Sequence, residues 1–329
     1  MSRRRAFITG ISGQDGSYLL ELLLEKDYEV YGLLRRTSTS NRWRLAGIEA
    51  RLRLIPGDVT DHSSLIAALR LSNPHEIYHL ASQSYVAHSF EAPLHTGDVT
   101  GLGALRVFEA ARLTCPHARI YQASSSEQFG NPVESPQNEA TPFNPVSPYG
   151  CAKTFAHFCA TTYRQAYKMF IACGIAFNHE SPRRGKEFVT QKIAQGVAAI
   201  QRGDCATLTL GNVETKRDWS HASDIMAAAW AMLQQEIPRD YVLASGVSHS
   251  VKEFAQRAFH LAGLEFSDHL LIDVALYRPT DVLNLVGNSQ KAKTILGWSP
   301  YVTFDHLVEE MMQDALHPTQ PSDSLREVR

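Results

Sequence analysis

Phe7-Ile8-Thr9-Gly10-Ile11-Ser12-Gly13-Gln14-Asp15-Gly16-Ser17-Tyr18 is the stretch on which the rest of the chain is organised. A short apolar run, Ala6 to Ile8, enters a turn with glycines at every third position. Leu19, Leu20, Leu22, Leu23 and Leu24 then recur with a helical period. The reading is strand, tight turn, helix. Such a turn brings a pyrophosphate close to the helix N-terminus, where unpaired N–H groups and the helix dipole favour an anion. A Gly-x-x-Gly-x-x-Gly string is weak by itself; its position between a strand pattern and a helix pattern gives it weight. Gly10, Ser12, Gly13, Gln14, Asp15 and Gly16 are therefore expected to bind a dinucleotide cofactor.

The 329 residues suffice for one large domain or two unequal ones, and a hydrophobic share of 44% with 20% charged residues describes a globular chain of enzyme size. A formal net charge of -2 leaves no electrostatic footprint for nucleic acid. The five cysteines form no Cys-x-x-Cys pair and their number is odd, which fits a reducing cytoplasm better than a disulfide framework. Ser2-Arg3-Arg4-Arg5 has the charge of a signal-peptide start, but no long apolar run follows, and nothing approaches membrane-spanning length.

Outward from the glycine turn, strand-like runs alternate with helical patterns. The strands are expected at Glu29–Arg35, Leu52–Ile55, Glu76–Ala81, Arg119–Ala123 and Phe170–Phe177, the helices near Ser63–Leu71, Val99–Leu113 and Tyr149–Tyr167. Alternation of this kind means an α/β fold with a doubly wound parallel sheet of the Rossmann type. Ligands bind such sheets at the carboxyl ends of the strands, so the residues that follow each strand are the informative ones. Arg35 and Arg36 follow the second strand. An acidic residue there would accept from the ribose 2′-OH of NAD, whereas an arginine fork suits the 2′-phosphate of NADP. Asp58 and Val59 follow the third strand and are expected at an adenine edge. Leu80-Ala81-Ser82-Gln83-Ser84 follows the fourth and offers small residues where a cofactor backbone would pass. His75-Glu76-Ile77-Tyr78-His79 matches a zinc-protease string, but that chemistry needs both histidines on one helix face, and this segment falls in a strand phase. No metal is expected.

The fifth strand runs into Ser124-Ser125-Ser126-Glu127, and Ser147-Pro148-Tyr149-Gly150-Cys151-Ala152-Lys153 comes next. Tyrosine and lysine four residues apart share a helix face. A free phenol with a pKa near 10 is a poor base at neutral pH. A neighbouring ammonium and a positive nicotinamide ring favour the phenolate. Read from the residues alone, the chain is an NADP-linked oxidoreductase.

Longer strings sharpen this. Gly13-Gln14-Asp15-Gly16-Ser17-Tyr18, Tyr121-Gln122-Ala123-Ser124, Phe177-Asn178-His179-Glu180-Ser181-Pro182-Arg183-Arg184-Gly185, Phe188-Val189-Thr190, Lys216-Arg217-Asp218-Trp219 and Tyr277-Arg278-Pro279-Thr280 are the carriers. With them the chain resembles the extended short-chain dehydrogenase/reductases, and within their NDP-sugar dehydratase/epimerase branch the GDP-mannose 4,6-dehydratase family, from residue 7 to about residue 311. That resemblance implies a catalytic set of Ser125, Glu127, Tyr149 and Lys153. It implies that Arg35, Asp58, Val59, Leu80, Ala81, Ser82, His179 and Arg184, with Tyr149 and Lys153, serve NADP. It further implies that Ser84, Ser125, Asn178, Val189, Lys192, Arg217 and Arg278 hold the GDP-sugar. The arginines make physical sense, because a diphosphate calls for bidentate cations. Arg217 can equally be read as the partner of Asp218, and Lys192 as part of a solvated helix face.

By the same resemblance, residues 1–177 with about 216–251 form the NADP-binding domain, with a last strand at Tyr241–Ser245. Residues 178–215 with 252–316 form a smaller α/β GDP-sugar lobe, and 317–329 a loose tail. The polar loop Arg36–Arg44 is implied to reach a neighbouring subunit in a homotetramer. Three residues depart from the family pattern: Ser125 for a usual threonine keeps the hydroxyl with a less fixed rotamer, while Asp281 for a glutamate and Leu283 for an aspartate touch nucleotide or sugar specificity. A dehydratase of a larger GDP-sugar such as a heptose stays open, as does a reductase or epimerase on the same fold. The latter two need no carboxylate at Glu127. A non-enzymatic NADP sensor would not need Tyr149 and Lys153.

Overall fold

The computed structural model describes residues 3–37, 42–277, 280, 282 and 284–318. The strands are β1 (Arg5–Thr9), β2 (Glu29–Leu34), β3 (Leu52–Pro56), β4 (Glu76–His79), β5 (Arg119–Ser125), β6 (Ile171–Ala176), β7 (Asn178–Glu180), β8 (Leu208–Leu210), β9 (Lys216–His221), β10 (Tyr241–Leu243), β11 (Ser248–Ser250), β12 (Leu270–Ile272) and β13 (Asn284–Leu285). The helices are α1 (Gln14–Glu25), α2 (His62–Ser72), α3 (Val86–Glu91), α4 (Pro93–Thr96), α5 (Gly103–Thr114), α6 (Pro148–Tyr167), α7 (Val189–Arg202), α8 (Ala222–Leu233), α9 (Val251–Leu261), α10 (Phe266–His269), α11 (Gln290–Leu296) and α12 (Phe304–Leu316).

Seven strands lie side by side in the order β10-β6-β5-β4-β1-β2-β3, and every pairing is parallel. This is the Rossmann-type α/β sheet expected from the alternation. Both faces are covered. On one, α1 and α8 bury Leu19, Leu20, Leu23, Ile225, Met226 and Met232; on the other, α2, α5 and α6 bury Leu65, Leu69, Val107, Phe108, Ala156 and Ala160. With both faces dry, the inner strands read as continuous apolar runs rather than as alternation.

The glycine turn behaves as its spacing requires. Gly10 has φ +75°, and a Cβ there would stand 2.8 Å from the Ala81 nitrogen. At Gly16 a Cβ would stand 2.4 Å from the Gly10 oxygen, so the turn and the start of α1 pack too closely for any side chain. Strand β4 stops at His79, two residues before the expected end. The next amides turn away to Thr9: Leu80 donates to its carbonyl and Ala81 to its hydroxyl. The expected helix Val99–Leu113 is α5 preceded by a π-helical turn, Gly97–Leu102.

A second sheet has the order β11-β9-β13, with β7 also pairing β9. The stretch 216–251, grouped by sequence with the first domain, thus gives α8 and β10 to the large sheet but β9 and β11 to the small one. Conversely α11, grouped by sequence with the sugar lobe, buries Ala292 against the core around α8. Helices α7, α9 and α12 enclose a separate core of Ile193, Val197, Phe254, Phe259, Leu307 and Met311. Residues 319–329 of the expected tail lie outside the described residues, as do 38–41 of the expected reaching loop. Among the described residues no helix is long and apolar enough to cross a membrane.

Candidate active site

A cavity of about 670 Å³ runs along the carboxyl ends of the large sheet and beneath the second sheet. Every site residue expected from sequence lines it except Arg278, which lies outside the described residues. Arg35 also lines a smaller pocket with Arg36, Gly57 and Asp58 beside β2 and β3.

The cofactor end is built from backbone. Gly13 caps α1 with no side-chain bond, so the first-turn N–H groups are left for a ligand in the cavity. A Cβ at Gly13 would meet only the Gly10 oxygen, at 3.2 Å, and would otherwise stand in open space. That open cradle, an uncapped helix N-terminus and the Arg35 guanidinium together fit a dinucleotide. Asp15 also faces the cavity, where a bare carboxylate would repel a diphosphate. His179 neutralises it, with Nε2 3.0 Å from the Asp15 carboxylate and Nδ1 2.8 Å from the Phe177 carbonyl. Burial works to raise the Asp15 pKa, but the His179 ring outweighs it and holds the carboxyl at about 2. Burial likewise works to lower His179, and the Asp15 charge outweighs it and raises the ring. Asp58 folds over its own loop, accepting from the Thr60 amide and hydroxyl, each at 2.9 Å.

The reactive end lies where β5 meets α6. Ser147 caps α6 by accepting from Gly150, and Pro148 takes the first helical position, where its missing N–H costs nothing. Tyr149 and Lys153 then share the face turned to β5. The Lys153 ammonium donates to the Ala123 carbonyl at 2.7 Å and stands 5.7 Å from the Tyr149 ring centre. Burial pushes the Tyr149 phenol up to about 12; a hydrogen bond with Ser125 works against that, the Glu127 charge adds to it, and Arg184 lowers it. Burial brings Lys153 down to about 8. Beneath them His79 stays neutral, its pKa lowered to about 3 by burial and by the Lys153 charge.

Glu127 sits in the 3₁₀ turn Ser126–Gln128 at the end of β5. A reciprocal cap fixes that turn: Ser125 Oγ accepts from the Glu127 amide at 3.3 Å, and Gln128 Oε1 accepts from the Ser125 amide at 2.8 Å. One strand end thus delivers a hydroxyl and a carboxylate to the same space as the tyrosine.

In the substrate half, Asn178, Val189, Lys192 and Arg217 line the cavity from β7, α7 and β9. Arg217 donates to the Val282 carbonyl at 2.7 Å. The Asp218 carboxylate is taken up by Ser245, Gly246 and Gly287, so it staples the second sheet to the first. Lys192 is exposed on α7 while lining the cavity. Sequence reading missed the support of Arg184. Its guanidinium lies 3.5 Å over the Phe188 ring and 3.1 Å from the buried Glu180 carboxylate. The spacing 180, 184, 188 is the only signal of it in the sequence, and Glu180 belongs to a strand rather than a helix.

The zinc-protease string is structural. His75 Nδ1 accepts from the Arg5 amide, His79 Nδ1 meets Thr9 Oγ1 at 2.7 Å, and Glu76 accepts from Tyr28 and Tyr78. All of it lies on strand β4 or its approach, with no helix face.

Comparison with known proteins agrees with this geometry. The family model for GDP-mannose 4,6 dehydratase matches residues 7–311. The chain is 48% identical to GDP-mannose 4,6 dehydratase 1 of Arabidopsis thaliana over 95% of its own length and 90% of the relative. It is 45% identical to GDP-mannose 4,6 dehydratase of Homo sapiens, covering 94% of this chain and 91% of that one. The identity to GDP-mannose 4,6-dehydratase of Vibrio cholerae is 41%, covering 97% and 95%. Among solved structures, the Thermus thermophilus UDP-glucose 4-epimerase complex with NAD superposes with a TM-score of 0.84 at 23% identity, covering 96% of this chain and 100% of that one. The dTDP-glucose 4,6-dehydratase DesIV of Streptomyces venezuelae, with NAD and TYD bound, gives 0.83 at 24%, covering 95% and 97%. These two show the fold. With the family model spanning nearly the whole chain and relatives this similar along it, the chain belongs to the GDP-mannose 4,6-dehydratase family.

Proposed function

We propose that this chain converts GDP-D-mannose to GDP-4-keto-6-deoxy-D-mannose and water, with NADP as resident cofactor. The observation that carries the reading is the convergence of Ser125, Glu127, Tyr149 and Lys153 on one cavity in a chain of this family. A carboxylate beside a tyrosine–lysine pair is what a dehydratase needs and a simple reductase does not.

NADP is held by the α1 N-terminus, Arg35, the loops after β3 and β4, His179 and Arg184. The bound nicotinamide supplies oxidation at C4 and reduction at C6. The chain's own residues move the protons. Tyr149 takes the proton of the C4 hydroxyl, helped by the Lys153 ammonium and a hydrogen bond from Ser125. A ketone at C4 then acidifies the C5 proton. Glu127 removes it and returns a proton to the departing C6 hydroxyl, which leaves as water. Asn178, Lys192, Arg217 and Arg278 hold the nucleotide, and the overlying lobe keeps bulk water from the intermediate. The test is incubation with GDP-mannose and catalytic NADP. A 4-keto-6-deoxy product is expected; unchanged GDP-mannose contradicts the reading.

The cofactor choice rests on Arg35. NADP is expected to bind more tightly than NAD, and Arg35→Ala to narrow the gap. Loss of one charge-assisted contact costs about 1.5–3 kcal/mol, roughly 10- to 150-fold in Kd. Calorimetric titration with both dinucleotides measures this, and equal affinities in the unmodified protein contradict it.

The assembly is proposed to be a dihedral homotetramer. Arg44, just past the undescribed part of the loop, folds back to donate to the Arg183 carbonyl at 2.7 Å and stacks on Trp43. The loop is thereby anchored beside the cofactor end after residues 38–41. Light scattering at micromolar concentration is expected to give four chains; a fully active monomer contradicts it.

A further inference from the structure

One buried titratable group next to the reactive end has no part in the chemistry described so far. His157 lies one turn beyond Lys153 on α6, so Tyr149, Lys153 and His157 form one face at four-residue spacing. Its Nδ1 stands 2.9 Å from Ser124 Oγ, and its Nε2 faces the Asp240 carboxylate at 3.7 Å. Arg164, further along α6, binds the same carboxylate through two nitrogens.

The sulfur of Cys173 on β6, His157 and Asp240 crowd within 4.8 Å of one another, a grouping that could be mistaken for a metal site. The arginine argues against that reading: Arg164 occupies the carboxylate and reaches to 3.9 Å from the sulfur. Burial raises the Cys173 thiol well above its usual pKa and lowers His157, so both are neutral. With Nε2–H turned to Asp240, Nδ1 is left as the acceptor for the Ser124 hydroxyl. The imidazole is thus held between a hydrogen bond with Ser124 and the carboxylate of the fixed Asp240–Arg164 ion pair.

Its place on β5 gives it meaning. Three successive residues of that strand each grip α6: the Ala123 carbonyl accepts from Lys153, Ser124 meets His157, and Ser125 meets Tyr149. Of these six residues only His157 does not line the cavity. We propose that His157, through Ser124, is a positioning residue that sets the register of α6 on β5 and thereby the Ser125–Tyr149 contact. Phe143 packs edge-on at 4.9 Å between ring centroids and keeps the imidazole from rotating. The inference rests on the dehydratase reading, since it is read out through Tyr149.

The test compares the parent enzyme with His157→Phe, His157→Asn, Ser124→Ala and a His157→Phe/Ser124→Ala double variant, using GDP-mannose across pH. Phenylalanine keeps the ring and loses the acceptor; asparagine keeps an acceptor near the Nδ1 position. A misplacement approaching 1 Å at the reacting atoms costs up to about 10²-fold. His157→Phe and Ser124→Ala are expected to lower kcat by about 10- to 100-fold with little change in KM. Both are expected to move the acid limb of the pH profile to higher pH, because Tyr149 loses the bond that lowers its pKa. His157→Asn recovers part of the rate, and the double variant is no slower than the slower single one. Parental kcat with an unmoved acid limb in folded Ser124→Ala or His157→Phe overturns the proposal, as do losses that multiply in the double variant. If His157→Phe does not fold, Ser124→Ala and His157→Asn decide the matter. A parent that leaves GDP-mannose untouched overturns the dehydratase reading and this one with it; an active parent with indifferent variants overturns this one alone.

Discussion

Glu127→Gln is expected to retain substrate binding and lose product formation, with turnover falling on the order of 10²–10⁴, the usual weight of a positioned general base. Glutamine keeps the shape and the cap geometry of the turn at Ser125 but cannot take the C5 proton. Nucleotide binding depends on cations elsewhere in the cavity, so KM for GDP-mannose changes little. Tyr149 and Lys153 are untouched, so oxidation at C4 continues. The 4-keto sugar that still carries its C6 hydroxyl then accumulates on the enzyme and is recovered by mass spectrometry after an acid quench. A Glu127→Gln enzyme with normal turnover removes the residue from the mechanism and favours a reductase or epimerase.

Tyr149→Phe is expected to lose a comparable factor, on the order of 10²–10⁴, and to stop the reaction one step earlier. No oxidised sugar accumulates, because the C4 hydroxyl keeps its proton. The pH dependence follows from the same environment. The phenol is raised to about 12 in the unliganded cavity, and its basic form gains as pH rises, so the rate increases along the acid limb. Lys153→Met removes the adjacent positive charge. The phenolate then loses its electrostatic support, and the acid limb moves to higher pH. The profile of kcat/KM against pH measures this, and an acid limb that stays in place, or moves to lower pH, contradicts the assigned role of Lys153.

Which residues would gather in the candidate site was largely legible because of one rule about parallel sheets. Once the alternation of strand and helix is read, function is sought just past each strand, and Arg35, Asp58, Ala81 and Glu127 all lie there. Tyr149 and Lys153 were legible for a second reason: helical spacing alone puts them on one face. What sequence could not deliver is partnership across distance. Nothing local links Asp15 to His179 or Ser124 to His157, since the contacts arise only when α1 meets β7 and β5 meets α6. The second sheet was equally hidden. Its strands β7, β11 and β13 have two or three residues each, too short for a period to register. The charged β9, Lys-Arg-Asp-Trp-Ser-His, is buried through Asp218, with its four bonds from Ser245, Gly246 and Gly287, and through a single apolar side chain, Trp219, packed on Phe254 and Phe304. The π-helical turn at 97–102 merged with α5 because apolar spacing hardly differs between the two.

The central claim is that one carboxylate at the end of β5 turns an oxidised sugar into a dehydrated one. The most direct measurement is to run the unmodified enzyme on GDP-mannose in heavy water and locate deuterium in the product by NMR. Proton removal by Glu127 and its later replacement from solvent predict a 4-keto-6-deoxy sugar carrying deuterium at C5. A dehydrated product with no deuterium at C5 contradicts the account.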